Sequence, residues 1–345
     1  MEQLKVNIIG IGIMGTNVAK VLALNPQARI TAASALRQET LDKARAEFKL
    51  ERTYTDYEKM IAAEKPDVVY VCTPDQAHLA PVMACLESGI HVQVEKPMAT
   101  SEADAAAMVR KVDETGLKLQ VSFNHRWLAV YHQTKQIIKS GQIGRPVCGY
   151  ARKNNPIDVP TKMVPWAKDS SPMWFLSCHD IDLMTWWFDE DPVEVKAFGH
   201  KGVLKKRFDY DCYDAMQGLV KFGSGAFATF EAAWIYPECH PARPDSFMEV
   251  IGEQGHMHLD RKMEQIEMSS PEGMGWPRSL LMANVFGHQV GAFPSCVNSF
   301  IEIVLEDKKP IVSAYDGWRS TAILDAIHRS ADSGQTISVP KAPVL

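Results

Sequence analysis

The chain has no C-x-x-C pair, no basic run, no internal repeat, no low-complexity segment and no apolar stretch approaching the roughly 18 residues of a transmembrane helix. Each absence removes a class of protein. A transmembrane helix is excluded, and Met1–Ile9 runs directly into an apolar strand without the layout of a signal peptide, so a cytoplasmic protein is expected. The seven cysteines (Cys72, Cys85, Cys148, Cys178, Cys212, Cys239, Cys296) are dispersed and odd in number, which suits reduced, mostly buried thiols rather than a disulfide framework. A formal charge of −5, from 37 Lys+Arg against 42 Asp+Glu, offers no positive patch to displace counterions from phosphates, so neither nucleic acid nor membrane is an expected partner. There is no G-x-S-x-G nucleophile elbow. Cys239-His240 and His256-x-His258 would have to converge from separate places to hold zinc, so no metal is expected. What remains is a globular composition, 46% hydrophobic and 23% charged over 345 residues, long enough for two domains.

The first 122 residues alternate short apolar runs with helical spacing. Lys5–Ile9, Ile30–Ala33, Val68–Cys72, His91–Val94 and Leu117–Val121 are continuous enough to be strands buried on both faces. Leu79, Val82, Met83 and Leu86 fall at helical spacing, with Gly89 as a stop. A second helix is marked by Ala105, Met108, Val109 and Val112, opened by Ser101 with Asp104 and closed by Gly116. The pattern predicts a doubly wound parallel α/β domain over residues 1–122. Beyond it, Val193–His200, Ala215–Phe222, Ala226–Ala233 and Phe247–Ile251 read as strands, with a Gly223-Ser-Gly225 turn. Helical stretches lie at Trp127–Ser140, Cys296–Glu306 and Gly317–Ser330. Residues 123–345 are therefore expected to form an α+β domain on a mostly antiparallel sheet.

Gly10-Ile-Gly12-Ile13-Met14-Gly15 follows the first strand and opens a helix near Met14, the strand–turn–helix context a dinucleotide needs. Gly10 allows the tight turn, Gly12 lets a pyrophosphate reach the backbone, and Gly15 lets helix and strand pack closely. The helix N-terminus presents free N–H groups to the anion. About 20 residues on, where an acid would accept the ribose hydroxyls of NAD, the chain reads Thr31-Ala-Ala-Ser34-Ala-Leu-Arg37. Nothing there repels a 2′-phosphate, Ser34 can donate to it and Arg37 can supply charge, which favours NADP over NAD.

Val71-Cys-Thr73-Pro74 with His78 ends one strand and Glu95-Lys96-Pro97 ends the next, at the sheet edge where ligands bind. With the Gly-rich turn, His179-Asp-Ile-Asp182, Gly141-Gln-Ile-Gly144 and Ala326-Ile-His-Arg-Ser-Ala, this set resembles the Gfo/Idh/MocA family of glucose–fructose oxidoreductases and inositol dehydrogenases over essentially the whole chain. The resemblance implies an NAD(P)-dependent oxidoreductase that moves a hydride between nicotinamide and a hydroxyl or carbonyl carbon of a sugar, sugar derivative or cyclitol. It implies a Rossmann domain followed by a substrate-binding and oligomerisation domain with a large open sheet, and a homo-oligomer, dimer or tetramer. Lys96, before a cis proline, is implied as the residue between nicotinamide and substrate. An ammonium there can hydrogen-bond the reacting oxygen, and burial that lowered its pKa toward about 7–8 would let it exchange a proton.

His179 is implied as the second catalytic group, a base in oxidation and an acid in reduction. Asp182, on the same helical face, would orient its ring or bind a substrate hydroxyl. Further cofactor contacts are expected from Ile13, Met14, Thr73, Pro74, His78, Glu95 and Asn124. Further substrate contacts are expected from His125, from Asn155 in Lys153-Asn-Asn155-Pro, and from Trp166 and Tyr236, whose rings suit the apolar face of a sugar. Asn124-His125-Arg126 should point into the cleft. One position departs from the pattern: many family dehydrogenases carry Asp four residues before the histidine, and this chain has Phe175. Two alternatives stay open, the second of them kept alive by Phe175. One is a glycosidase-like elimination that uses NAD without net reduction, and the other is a dinucleotide-sensing regulatory protein with altered chemistry.

Overall fold

A computed structural model describes residues 3–343 apart from Pro165 and Glu272. It divides into two compact units: the described residues up to 127 with 281–321 and those after 341, and residues 128–280 with 322–341. The observed division differs from a single cut at 122/123. The helix foreseen at Cys296–Glu306 belongs with the first unit, because its apolar face covers the first sheet.

In the first unit, strands β1 (Leu4–Ile9), β2 (Ala28–Ser34), β3 (Arg52–Tyr54), β4 (Val68–Val71), β5 (His91–Val94) and β6 (Leu119–Val121) form a six-stranded sheet in the order β3-β2-β1-β4-β5-β6. Every pairing in it is parallel. This is the doubly wound Rossmann order, whose crevice lies outside the strands' carboxyl ends. Helices α1 (Ile13–Leu22), α2 (Gln38–Phe48), α3 (Tyr57–Glu64), α4 (Leu79–Glu87) and α5 (Glu102–Thr115) make the crossovers. Ser101 Oγ accepts the Asp104 N–H at 3.1 Å and Gly116 takes the left-handed conformation, so α5 starts and stops where its sequence signals stand.

The second unit begins with α6 (Ala129–Lys139). Strands β7 (Pro146–Pro156), β8 (Pro192–His200), β9 (Ala215–Phe222), β10 (Phe227–Tyr236), β11 (Asp245–Gly252) and β12 (His256–Asp260) join the late β17 (Ile337–Ser338) in the order β12-β11-β7-β10-β9-β8-β17. All neighbours are antiparallel except β10 and β7. Alternation puts Met216, Val220 and Phe222 in the core while Gln217, Leu219 and Lys221 face out. Helix α7 (Cys178–Phe188) lies tightly on the inner face: a Cβ on Gly149 of β7 would come within 2.6 Å of the Met184 sulfur. The short helix α8 (Val203–Phe208) connects β8 to β9, and a ribbon of β13 (Met268–Ser270) and β14 (Gly273–Gly275) follows β12.

The chain then contributes to the first unit again, through the ribbon β15 (Ala283–Val285) and β16 (His288–Val290) and helix α9 (Ala292–Leu305). Phe293, Val297, Phe300 and Ile301 of α9 join Val6, Ile8, Val68 and Tyr70 of the sheet in one core. Burying each such side chain is worth roughly 1.5–3 kcal/mol. The Tyr70 hydroxyl fixes the helix by donating to Val297 O at 2.8 Å. Helix α10 (Ala314–Ser333) starts in the first unit and continues into the second. All seven cysteines are free. No helix among the described residues is long and apolar enough to cross a membrane.

Candidate active site

The first unit builds its site from the loops at the carboxyl ends of its strands. Gly10 turns the chain after β1 with φ +90°, and a Cβ there would lie 2.6 Å from Cys72 O, so no side chain fits. A Cβ on Gly15 would lie 2.3 Å from Gly10 O, which sets the close packing of α1 on the turn. One on Gly12 would meet nothing within 4 Å, so this stretch of backbone is open to an approaching group. Helix α1 starts without a side-chain cap and without an acid in its first turn, leaving its N–H groups to an anion. Ile13 is exposed and Met14 half-buried at that start.

After β2, Ser34 O accepts the Gly10 and Ile11 N–H groups at 2.9 and 3.2 Å, tying the second strand end to the first. Ser34, Arg37, Thr73 and Pro74 line a cavity of about 430 Å³ with Gly10 and Gly12. Arg37 is exposed and opens α2, with no acid beside it on the cavity wall. Thr55 and Tyr57 also line the cavity. They escaped selection because they come after a strand of only three residues.

The Lys96–Pro97 bond is cis, as the resemblance implied. Lys96 is half-buried and acts on two carboxyl groups. Burial raises Glu95 to about 7, against the opposing pull of the Lys96 charge and of its N–H, which donates to Glu95 Oε2 at 3.3 Å. Burial also raises Asp75, again opposed by Lys96 and by His78. Glu95 Oε1 and Asn124 Oδ1 are buried without a hydrogen-bond partner among the described residues. A buried acceptor left unmatched is costly, and a hydroxyl-bearing ligand would satisfy both. Open glycine backbone, an uncapped helix start and two orphaned acceptors at strand ends fit a dinucleotide.

Two expectations in this unit are corrected. His78 has no exposed surface. Its Nδ1 lies 2.9 Å from Pro97 O and its Nε2 3.0 Å from Thr73 O; both oxygens only accept and burial favours the neutral ring, so His78 sits between the two strand-end loops, donates to one of these oxygens at a time, and offers no exposed edge to a cofactor. Arg126 does not point into a cleft: it is buried, donating to Ile311 O at 3.1 Å and to Asp316 at 3.0 Å. Its neighbour His125 is buried as well.

In the second unit, His179 is half-buried in the first turn of α7. A wide π-type turn, Met173–Ser177, leads directly into it, a local form frequent at functional sites. Asp182 has no exposed surface, which corrects one of its two expected roles, binding a substrate hydroxyl, and leaves the other, orienting the His179 ring, untouched. The sequence reading missed Asp180, which is fully buried and meets Lys153 Nζ at 2.5 Å. Burial lowers the Lys153 ammonium and raises the Asp180 carboxyl, each opposed by the other's charge. Asn155, beside Lys153, is buried. Trp166 and Phe175 are half-buried and meet edge to face at 5.5 Å, while Phe175 also lies 6.4 Å from Trp234. Tyr236 is half-buried and its hydroxyl accepts from Asn154 Nδ2 at 2.8 Å.

Comparison with known proteins adds to this geometry. A family model described as an oxidoreductase family with an NAD-binding Rossmann fold matches residues 4–123, and the Gfo/Idh/MocA C-terminal domain model matches residues 131–258. Among curated proteins, myo-inositol 2-dehydrogenase of Thermotoga maritima is 24% identical over 97% of this chain and 98% of its own. The 1,5-anhydro-D-fructose reductase of Ensifer adhaerens is 26% identical over 84% of each. Among solved structures, scyllo-inositol dehydrogenase from Lactobacillus casei, with bound NAD(H) and scyllo-inositol, superposes with a TM-score of 0.84 at 22% identity, covering 98% of this chain and 99% of its own. That likeness establishes the shared fold.

Proposed function

Because the chain belongs to the Gfo/Idh/MocA oxidoreductase family, we propose that it oxidises a carbinol, or reduces the corresponding carbonyl, of a cyclitol or sugar, with Lys96 and His179 as its catalytic groups. When bound, a nicotinamide dinucleotide supplies the hydride acceptor or donor. Lys96 donates a hydrogen bond to the reacting oxygen and stabilises the charge that develops on it. His179 takes the hydroxyl proton in oxidation and returns it in reduction. Asn155, Trp166 and Tyr236 orient the substrate, the two rings against its apolar C–H faces. The observation that carries this reading is Lys96 itself, half-buried at the end of β5, beside a raised carboxyl and an orphaned acceptor on the edge that holds the dinucleotide cradle.

Within that reading we infer a preference for NADP(H). Ser34 and Arg37 line the crevice after β2, and no acid is there to repel a 2′-phosphate. The test is a panel of inositols, sugars and sugar derivatives assayed with NAD and NADP side by side. Turnover with at least one polyol, faster with NADP, is expected; no reduction of either cofactor across the panel overturns the proposal. Apolar side chains on the outer face of the second unit's sheet, Phe198, Leu219, Phe227 and Ile251, suit a second copy of the chain. Light scattering is expected to return a dimer or tetramer, and a monomer refutes that part.

A further inference from the structure

Buried Ser171 and half-buried His328, both in the second unit, form a pair for which the mechanism above has no use. Ser171 Oγ lies 2.7 Å from His328 Nε2, and His328 Nδ1 lies 2.7 Å from Leu324 O. A carbonyl oxygen can only accept, so Nδ1 carries the proton and Nε2 accepts from the serine hydroxyl. Burial pushes His328 down to about 4, while Leu324 O and Asp332 draw it up and Lys201 pushes it further down. The ring is therefore neutral near pH 7 and suited to accept. The Trp174 ring stacks on it at 5.0 Å with 15° between planes, and Tyr213 meets it edge-on at 6.3 Å.

The same serine starts the turn that leads to His179. Its hydroxyl accepts the Trp174 N–H at 3.1 Å and its carbonyl accepts the Phe175 N–H at 3.1 Å. Those bonds anchor Met173–Ser177, which continues without a break into Cys178 and His179. A wide turn has weaker internal bonding than a regular helix, so its geometry depends on what holds its first residues. With only 3% of Ser171 exposed, water does not replace these bonds, and a nucleophilic role for the serine is excluded.

We propose that Ser171 and His328 are positioning residues for His179. The pair fixes where the 173–177 turn begins, and so where the first turn of α7 presents the imidazole. This rests on the reading of His179 as the proton-moving group. The test uses the full chain labelled with 15N in its histidines, the His179 ring signal being the one lost in His179→Ala. In Ser171→Ala and His328→Leu the His179 titration midpoint is expected to move by about half a pH unit or more, because its surroundings change. His328→Gln, whose side-chain oxygen still accepts the Ser171 hydroxyl, is expected to restore it.

With the polyol that turns over fastest, kcat is expected to fall roughly tenfold in Ser171→Ala, with dinucleotide affinity unchanged. Adding His328→Leu to His179→Ala should change kcat less than about twofold, since the two act through one group. An unmoved His179 titration in folded Ser171→Ala overturns the proposal. So does an undiminished effect of His328→Leu in the His179→Ala background. The titration needs no substrate, so failure of the polyol panel is read separately from failure of the positioning pair.

Discussion

Replacing Glu95 by Gln should make the protein more stable at alkaline pH and change the shape of its pH dependence. Glu95 is buried and titrates near 7 where an ordinary glutamate titrates at 4.5. A carboxyl whose folded pKa is raised favours the fold while protonated. Its contribution is fully present below 4.5 and is lost as pH rises through about 7. At about 1.36 kcal/mol per pH unit, ionising Glu95 in place costs about 3 kcal/mol. Roughly 1 kcal/mol of that is gone by about pH 5.5, so wild type should lose about 2 kcal/mol more than Glu95→Gln between about pH 5.5 and 8.5. Glutamine keeps the shape and still accepts the Lys96 N–H, so packing is not the variable. The assay is native-state hydrogen exchange of the cofactor-free protein, following the peptide that carries β5. A stability gap that does not change with pH, or that narrows as pH rises, refutes the reasoning.

Arg37→Ala should weaken NADP roughly tenfold while leaving NAD within about twofold, since one exposed charge-assisted contact to a phosphate is lost; equal losses in titrations with both cofactors would count against the assignment. Lys153→Met leaves Asp180 ionised or protonated without its partner in the interior and should destabilise the second unit by about 3–5 kcal/mol in urea unfolding. The double variant Lys153→Met/Asp180→Leu should recover most of that loss, because the uncompensated charge is gone. A double variant as unstable as the single one would mean that the ion pair is not what holds β7 to α7.

Much of the first unit was legible because its constraints are local and repeated. His91–Val94 matches an observed strand without adjustment, and Ser101 and Gly116 bound α5 as their chemistry dictates. Gly10, Gly12 and Gly15 each meet the condition that selected them, a positive φ, an open face and a close contact. Strand β3 was missed: three partly charged residues at a sheet edge carry no apolar run. Strand β7, the parallel neighbour of β10, was missed because its end is Lys153-Asn154-Asn155, polar residues whose burial depends on distant partners, Asp180 of α7 for Lys153 and Glu231 and Tyr236 of β10 for Asn154. The assignment of α9 to the second domain failed for a different reason. Its apolar face says that it must be covered but not by which sheet. His78 shows the same gap in the site. Its position after Thr73-Pro74 marks it, yet its place between the Thr73 and Pro97 carbonyl oxygens depends on Pro97, nineteen residues away. Phe175 was legible as a departure, while its packing against Trp166 and Trp234 was not.

The most direct test of hydride transfer at Lys96 tracks the hydrogen itself. Wild type and Lys96→Ala would be incubated with oxidised NADP and a polyol deuterated at its carbinol carbons, and the nicotinamide recovered for mass spectrometry. Deuterium at nicotinamide C4 in wild type, with turnover abolished in Lys96→Ala and dinucleotide affinity held within about an order of magnitude, is the predicted result. Reduced cofactor without deuterium, or deuterium transferred by Lys96→Ala at the wild-type rate, would contradict it.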